Sequence, residues 1–370
     1  MQVLHLDYDD LGNPWGGGQA RRTYEVSRRL ASWFGWDITV VTGNYPGARP
    51  VDVPVARGRL RYRRVGFGSF PWNILSFSAA APLLARTVAC DLIVEDFTTP
   101  VGPSLLPRVA TSPVVGSAQF LFAPDMARKY RLPFDRAARR LLSGYRHLIA
   151  LTAHAAAALA VTAPRARVHH VPQGLAAGAF IDPAEITTDG DHAVFMGRLD
   201  RDQKGLDTLI TAWSHLTPSA RPPLLIAGDG RDRATLRRDI DASGLSKTVR
   251  LIGRVDGAAK SDVLRRARLV VMPSRYETFG IVAIEALAQG IPLVASDLPE
   301  LREVAAPGSI LIPPSDARAL AHAVRTVWDD ASLRATLARA GRASVDGFTW
   351  DRVAIAQAHV YNRAMGERSP

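Results

Sequence analysis

Two glutamates, Glu277 and Glu285, lie beside and within an apolar helical pattern in the segment "PSRYETFGIVAIEALAQG", residues 273–290. Carboxylates in this setting can accept hydrogen bonds from sugar hydroxyls, and one of them can take both hydroxyls of a ribose. The peptide N–H groups at a helix start attract phosphate. We therefore predict a site for a phosphorylated, hydroxyl-rich ligand. Alternatively, Glu277 caps the helix and Glu285 lies on a solvated face.

Two cations follow the strand pattern "HAVFMG" in the segment "RLDRDQKGLDTL", namely Arg198 and Lys204. Two fixed cations together with helix N–H donors can hold a diphosphate without a metal. The alternative is a solvated charged turn.

A glycine loop precedes the first helical pattern, and it consists of Gly16, Gly17 and Gly18. Such a loop can leave N–H groups free at the helix start and cradle an anion. A P-loop is excluded because no Gly-Lys-Ser/Thr follows, and a flexible turn is the alternative. The acidic residues of the preceding "DYDD", residues 7–10, favour a metal site only weakly because they follow the first strand.

Strand and helix patterns alternate along the chain and then start again after the Pro- and Gly-containing segment 171–192. This alternation predicts an α/β fold with two doubly wound, Rossmann-like domains, residues 1–173 and 174–349, facing across a cleft. Ligands of such sheets bind beyond the carboxyl ends of the strands. Glu95 and Asp96 follow the strand "DLIV", so we predict that they orient acceptor hydroxyls in the cleft, with loop capping as the alternative.

The chain of 370 residues has a formal net charge of +11, mostly from arginine. Anionic partners are expected: phosphorylated substrates, acidic lipid surfaces or nucleic acid. A nucleic-acid partner is disfavoured because no reading motif is present. The single cysteine, Cys90, is predicted to be a small buried hydrophobe, which fits a reducing compartment. Without a long apolar run or a signal pattern, a cytoplasmic location is predicted.

A helical pattern rich in basic and aromatic residues suggests an alternative location for the protein, bound peripherally to the inner face of the membrane. Its residues are Arg21, Arg22, Arg28, Arg29, Trp33, Phe34 and Trp36. One face of this helix could rest on acidic lipid headgroups, or it could be an ordinary domain helix with a solvated face.

Four segments in order, "FMGRLDRDQKGLDTLITAW", "LLIAGDG", "VRLIGRV" and "VVMPSRYETFGIVAIEALAQGIPLVASDLPELREV", resemble the second domain of retaining glycosyltransferases of family 4. The glycine loop and a final helix in residues 350–370 add to this resemblance. It implies the two-domain GT-B fold, with the last helix crossing back to the first domain. It also implies transfer of a hexose from a UDP- or GDP-sugar to a saccharide, lipid-linked or small-metabolite hydroxyl, with no metal or other cofactor.

The resemblance also implies a role for each matching residue. Arg198 and Lys204 would bind the diphosphate, Glu277 the donor-sugar hydroxyls beside the reacting carbon, and Glu285 the ribose. Backbone contacts to the donor are implied for Gly16, Gly17, Gly253, Arg254, Val255, Thr278, Phe279 and Gly280.

In this family the acceptor is thought to attack from the face that the diphosphate leaves, and a phosphate oxygen receives the proton, so that no protein base is required. Many relatives carry a histidine near the acceptor, where this sequence has Gln119. The same fold also occurs in sugar-nucleotide epimerases and in silent sugar-nucleotide-binding proteins. The intact set of Arg198, Lys204, Glu277 and Glu285 argues against silence.

Overall fold

The computed structural model describes residues 1–13, 17–68, 72–97, 103–118 and 134–367. The chain forms two compact units, the first made of Met1–Gly174 with Trp350–Pro370 and the second of Leu175–Thr349. The division lies one residue after the boundary that the sequence predicts.

The described part of the first unit is built on a sheet with the strand order β3-β4-β2-β1-β5-β6-β7-β8. Its strands are β1 (Gln2–Leu6), β2 (Asp37–Gly43), β3 (Val51–Val53), β4 (Arg59–Val65), β5 (Leu92–Phe97), β6 (Val114–Ala118), β7 (His147–Ala150) and β8 (Arg167–His170). Its helices are α1 (Gly18–Phe34), α2 (Trp72–Thr87), α3 (Leu106–Val109), α4 (Phe134–Leu142) and α5 (Ala153–Thr162).

All neighbouring strands of this sheet run parallel except β3, which pairs antiparallel with β4. The hairpin of β3 and β4 is missed in the sequence because "RLRYRRV" is dominated by arginine. Only Leu60 and Tyr62 of β4 are buried, which is the alternation of a half-covered strand.

The second unit contains a sheet whose neighbouring strands are all parallel, with the order β11-β10-β9-β12-β13-β14. Its strands are β9 (His192–Met196), β10 (Leu224–Ala227), β11 (Val249–Gly253), β12 (Ala267–Met272), β13 (Leu293–Ser296) and β14 (Ser309–Ile312). Its helices are α6 (Arg201–Lys204), α7 (Leu206–His215), α8 (Arg233–Ala242), α9 (Gly257–Arg265), α10 (Ile281–Ala288), α11 (Pro299–Ala305), α12 (Ala317–Asp329) and α13 (Ala331–Ser344).

The last helix, α14 (Trp350–Gly366), packs on α1 within the first unit. The Arg22 guanidinium joins the two helices, because its Nη2 donates to Gln357 Oε1 at 2.9 Å and its Nη1 to the Pro172 carbonyl at 2.5 Å. Trp350 and Tyr361 lie in the same hydrophobic core as Trp36. The C-terminal helix therefore belongs to the first unit, as the sequence predicts.

This packing removes two residues from the predicted lipid-binding face of α1, whereas Arg21, Trp33 and Phe34 are exposed. Arg22 is 1% exposed and Trp36 7% exposed, so neither is available to a membrane surface. Arg29 bonds Glu25 at 2.6 Å and Asp351 at 2.7 Å. Within the described residues, no helix combines the length and the apolarity that crossing a bilayer requires.

Candidate functional site

The carboxyl ends of three strands of the second sheet, β11, β9 and β12, carry most of the predicted ligand residues. Gly253 ends β11, Arg198 follows β9, and Glu277 follows β12. Since β10, β9 and β12 are neighbours in the sheet, these segments lie along one edge. This is the edge at which open parallel sheets bind ligands.

Lys204 and Glu277 are in direct contact at this edge. Lys204 Nζ donates to Glu277 Oε1 at 2.6 Å, and Ser274 Oγ donates to the same oxygen at 2.7 Å. Glu277 is only 6% exposed, so its carboxylate is held by both donors in a largely dry position. The sequence reasoning missed Ser274, although it lies in the same loop three residues before the glutamate.

A glycine contact brings Lys204 to this loop. Gly205 has φ +62°, and a Cβ there would lie 2.0 Å from the Pro273 carbonyl oxygen. Only glycine allows this approach of the α6 end to the loop after β12. The adjacent Arg275 fixes the loop further, because its guanidinium donates to Asp207 Oδ2 at 2.7 Å and Ser315 Oγ at 2.8 Å.

Arg198 is exposed, and its Nη2 donates to the neutral Gln203 Oε1 at 3.0 Å. Within the described residues, no carboxylate forms a salt bridge with Arg198. A cation oriented by a neutral amide keeps its charge for an anionic ligand. Its position at the end of β9 agrees with the predicted placement.

Among the described residues, no side chain forms a capping hydrogen bond at the start of the helix that follows Glu277. Gly280 is the N-cap of α10 with φ 89°, and no side-chain cap is formed. The alternative that Glu277 caps the helix is therefore wrong. The helix begins at Ile281, two residues later than predicted, because Phe279 is buried in the loop and packs edge-to-face on Phe348 at 5.7 Å. Thr278 beside it is half-buried.

Glu285 lies on α10 and pairs with a residue that the sequence reasoning missed. Lys260 Nζ on α9 donates to Glu285 Oε1 at 2.5 Å. The Glu285 side chain is 20% exposed, so the alternative of a solvated face is wrong. Its second oxygen, Oε2, is buried and has no hydrogen-bond donor among the described residues.

The segment predicted to lie against a base turns at Gly253, which has φ 78°. Arg254 is exposed and pairs with Asp256 Oδ2 at 2.7 Å, and Val255 is half-buried. Beside this segment lies a cavity of about 420 Å³ that the sequence did not indicate. It is lined by Asp229, Gly230, Arg231, Arg233, Ala234, Arg237 and Leu251. Three guanidinium groups line the cavity, of which Arg233 pairs with Asp229 and Arg231 with Asp200 and Asp232.

In the first unit, Glu95 and Asp96 lie inside β5 and not beyond its end, so the prediction that they follow the strand is wrong. Glu95 is 4% exposed and accepts a hydrogen bond from the Tyr145 hydroxyl. Burial raises the pKa of Glu95 to about 7. Burial also acts to raise the pKa of Asp96, but the His5 imidazole at 2.7 Å, Ser117 and Arg22 together outweigh it and lower that pKa.

Gly17 of the glycine loop binds a carboxylate of the protein itself. Gly17 N–H donates to Asp9 Oδ2 at 2.9 Å. The prediction that this donor is free for a ligand is therefore wrong. The neighbouring acids also have protein partners: Thr23 donates to Asp7 at 2.7 Å, and Arg64 binds Asp10 at 2.7 Å. Gly16 and Gln119 lie outside the described residues. Across the described ranges, no group of three acidic, histidine or cysteine side chains has the arrangement of a metal site.

Comparison with known proteins gives two family matches that together span most of the chain. The family described as Glycosyl transferases group 1 matches residues 180–344, and Glycosyltransferase Family 4 matches residues 16–177. Glycogen synthase of Mycobacterium tuberculosis is 37% identical over 182 residues, which are 48% of this chain and 44% of that protein. The chain therefore spans about half the length of the curated relatives it matches.

Solved structures extend the likeness to both units. Sucrose-phosphate synthase from Thermosynechococcus elongatus has a TM-score of 0.81 at 22% identity and covers 99% of each chain. Anabaena HepE in complex with UDP and glucose has a TM-score of 0.75 at 19% identity and covers 98% of this chain and all of that one. These neighbours confirm the GT-B fold class, two parallel-sheet α/β domains.

Proposed function

The chain belongs to glycosyltransferase family 4, and from this premise we propose that it transfers a hexose from a nucleotide diphosphate sugar to an acceptor hydroxyl. The transfer retains the anomeric configuration and uses no metal. The observation that carries the proposal is the buried contact of Lys204 and Ser274 with Glu277 beside the uncapped start of α10.

Arg198 and Lys204, at the carboxyl ends of the strands, are placed to stabilise negative charge on the diphosphate leaving group. When the anomeric carbon–oxygen bond breaks, negative charge grows on the diphosphate, and fixed cations with helix N–H donors stabilise it. Arg198 has its charge available, and Lys204 has two further N–H donors beyond the one on Glu277. The diphosphate oxygen that loses the sugar can then receive the acceptor proton, so no further base is needed.

Glu277 is suited to binding the sugar that is transferred. Both donors from the protein use Oε1, which leaves the second carboxylate oxygen for a donor-sugar hydroxyl. Because Ser274 and Lys204 fix the carboxylate, it is oriented before the ligand binds, and little reorganisation is required.

We propose a uridine diphosphate sugar as the donor and a saccharide as the acceptor. The HepE complex contains UDP and glucose, and the names of glycogen synthase and sucrose-phosphate synthase favour a sugar acceptor. Phosphatidyl-myo-inositol mannosyltransferase of Mycobacterium leprae, 36% identical over 176 residues, makes a lipid-linked acceptor the competing outcome. The cavity beside Gly253 would lie next to the base. A guanosine donor is the competing outcome of the test.

Calorimetry tests the donor first, with uridine, guanosine, adenosine and thymidine diphosphates added without metal to the parent and to Glu285→Ala. We expect one nucleotide to bind at micromolar concentration and to bind at least tenfold more weakly to the variant. Absence of binding by all four would contradict the proposal.

Transfer is tested with UDP-glucose and a panel of saccharides, comparing the parent with Glu277→Gln. We expect turnover to fall by about 10²-fold or more because one oriented transition-state contact is lost, while nucleotide affinity changes little. Exposed Glu185 provides the matched control Glu185→Gln. Parent-like turnover of Glu277→Gln would refute the assignment, and interconversion of the donor sugar without transfer would identify an epimerase.

We also propose peripheral contact with acidic lipid through α2. Three large apolar side chains of this helix are exposed: Trp72 by 61%, Leu75 by 56% and Leu83 by 64%. Their spacing places them on one helix face. The helix contains no acidic residue and has Arg86 in its last turn, which suits an anionic surface.

Sedimentation with vesicles tests this contact. We expect binding to vesicles containing anionic phosphatidylglycerol but not to phosphatidylcholine alone, and weaker binding by Leu75→Ser and Leu83→Ser. Val161 on α5, which is 83% exposed, gives the control Val161→Ser. Equal binding by all the variants would exclude α2 as the contact.

A further inference from the structure

We propose that Lys260 is a positioning residue for the ribose of the nucleotide and thereby sets the preference for ribose over deoxyribose. The inference rests on the proposed function, since it requires a nucleotide at this site. Lys260 would act through Glu285 and not by touching the reacting atoms.

The arrangement of the carboxylate carries this inference. Lys260 Nζ binds Glu285 Oε1 at 2.5 Å, whereas Oε2 is buried and without a donor among the described residues. A buried charged oxygen without a donor is costly, and proteins seldom keep one without a reason. A ligand hydroxyl would supply the donor that Oε2 lacks.

Glu277, at the carboxyl ends of the same strands, also has one carboxylate oxygen bound by a lysine. At Glu277, Lys204 and Ser274 both occupy Oε1, just as Lys260 occupies Oε1 of Glu285. In each case a lysine offsets the charge and fixes one oxygen, so the other oxygen has a defined direction. This is how a hydroxyl-binding carboxylate is oriented before its ligand arrives.

The helices that carry Lys260 and Glu285 fix the orientation of the Glu285 carboxylate. Glu285 projects from α10, whose residues Ala283, Ile284, Ala286 and Leu287 are buried. Lys260 lies in the first turns of α9, which follows the turn at Gly253 through Asp256. With side-chain exposures of 26% for Lys260 and 20% for Glu285, the pair is partly shielded from water. Without Lys260, the carboxylate would be free to turn towards solvent.

A structural alternative makes a different prediction. If the ion pair only ties α9 to α10, its removal lowers stability and weakens all nucleotides equally. If Lys260 itself binds phosphate or base, its removal also weakens the ribo and deoxyribo forms equally. Only positioning of Glu285 changes the ratio of the two affinities.

The experiment therefore measures a ratio. The nucleoside diphosphate that the parent binds best is titrated together with its 2′-deoxy counterpart, against the parent, Lys260→Met, Lys260→Arg and Glu285→Ala. We expect the parent to prefer the ribo form by about tenfold or more, the effect of one hydrogen bond to a charged group. We expect Lys260→Met and Glu285→Ala to reduce this preference to within about threefold of unity, and Lys260→Arg to keep most of it.

Exposed Lys247, in the same unit, gives the matched control Lys247→Met, which should leave both affinities unchanged. Thermal melting of each variant verifies folding, and Lys260→Gln, which also removes the charge but stays polar, provides the same test of the ratio if the methionine variant unfolds. An unchanged ribo-to-deoxyribo ratio in Lys260→Met overturns the inference while the donor site stands. No nucleotide binding by the parent would instead refute the proposed function.

Discussion

Replacing Glu95 by glutamine should make the first unit more stable at alkaline pH and leave it nearly unchanged in acid. Glu95 is buried in the middle of β5 and accepts a hydrogen bond from the Tyr145 hydroxyl. Glutamine has the same shape, and its carbonyl oxygen can accept the same bond. The substitution therefore removes the charge with little change in packing.

The expected magnitude follows from the pKa of Glu95, which burial raises from its ordinary value of 4.5 to about 7. Between these values the folded chain holds a proton that the unfolded chain has lost, so stability falls as the pH rises. Below pH 4.5 both states are protonated, and above pH 7 both are ionised. The full loss corresponds to about 3 kcal/mol.

Urea unfolding between pH 4 and 8.5 measures this difference, with amide exchange of β5 and β6 peptides reporting on the first unit. We expect Glu95→Gln to match the parent near pH 4 and to exceed it by up to about 3 kcal/mol near pH 8. Glu185→Gln, at an exposed position, should show no such divergence.

A constant difference between Glu95→Gln and the parent across this pH range would refute the reasoning. It would show that Glu95 is ionised in both states or remains in contact with water. Because Glu95 has an interior partner and does not project beyond its strand, transfer activity of Glu95→Gln at neutral pH should stay close to that of the parent. A large loss of activity would instead support the predicted role of Glu95 in binding the acceptor.

Three further substitutions test the donor edge and the C-terminal helix. Ser274→Ala should lower turnover about tenfold with little effect on nucleotide affinity, since it removes one donor to Glu277; parent-like kinetics would deny Ser274 a role. Arg22→Met should lower the free energy of unfolding by about 3 kcal/mol, because the Pro172 carbonyl and Gln357 lose their buried donor. Protection of α14 amides from exchange checks this, and unchanged protection would contradict it. Gly280→Ala should weaken nucleotide binding in calorimetry, because φ is 89° and the new Cβ would lie 2.5 Å from Leu301 Cδ2; unchanged affinity would show that the helix start does not contact the ligand.

The sequence predicted much of the second unit because its information is local. Buried parallel strands appear in the sequence as continuous apolar runs. Polar residues directly after such runs lie at the carboxyl ends of the strands, where ligands bind. Arg198, Lys204 and Glu277 were therefore placed correctly relative to their strands, and the contact of Lys204 with Glu277 is consistent with that placement.

The first unit was less predictable, because its strand ends are less sharply marked. "DLIVEDF" ends with two acids and an aromatic residue, and only burial by neighbouring elements decides that Glu95 and Asp96 are inside the strand. For the same reason, Arg22 is read as a surface cation in the sequence, yet it is buried by α14 from the far end of the chain.

By itself, the sequence determined the fold class and the family, since strand-helix alternation and short-range spacing are present along the chain; the donor-binding roles of Arg198, Lys204, Glu277 and Glu285 stay predictions. Only the tertiary structure decided which charges meet. Lys260 and Glu285 come from separate helices, Ser274 lies in the loop after β12 whereas Lys204 ends α6, and Asp9 binds the Gly17 N–H. Such pairings depend on how packed elements bring side chains within hydrogen-bonding distance, and that distance is a property of the folded core.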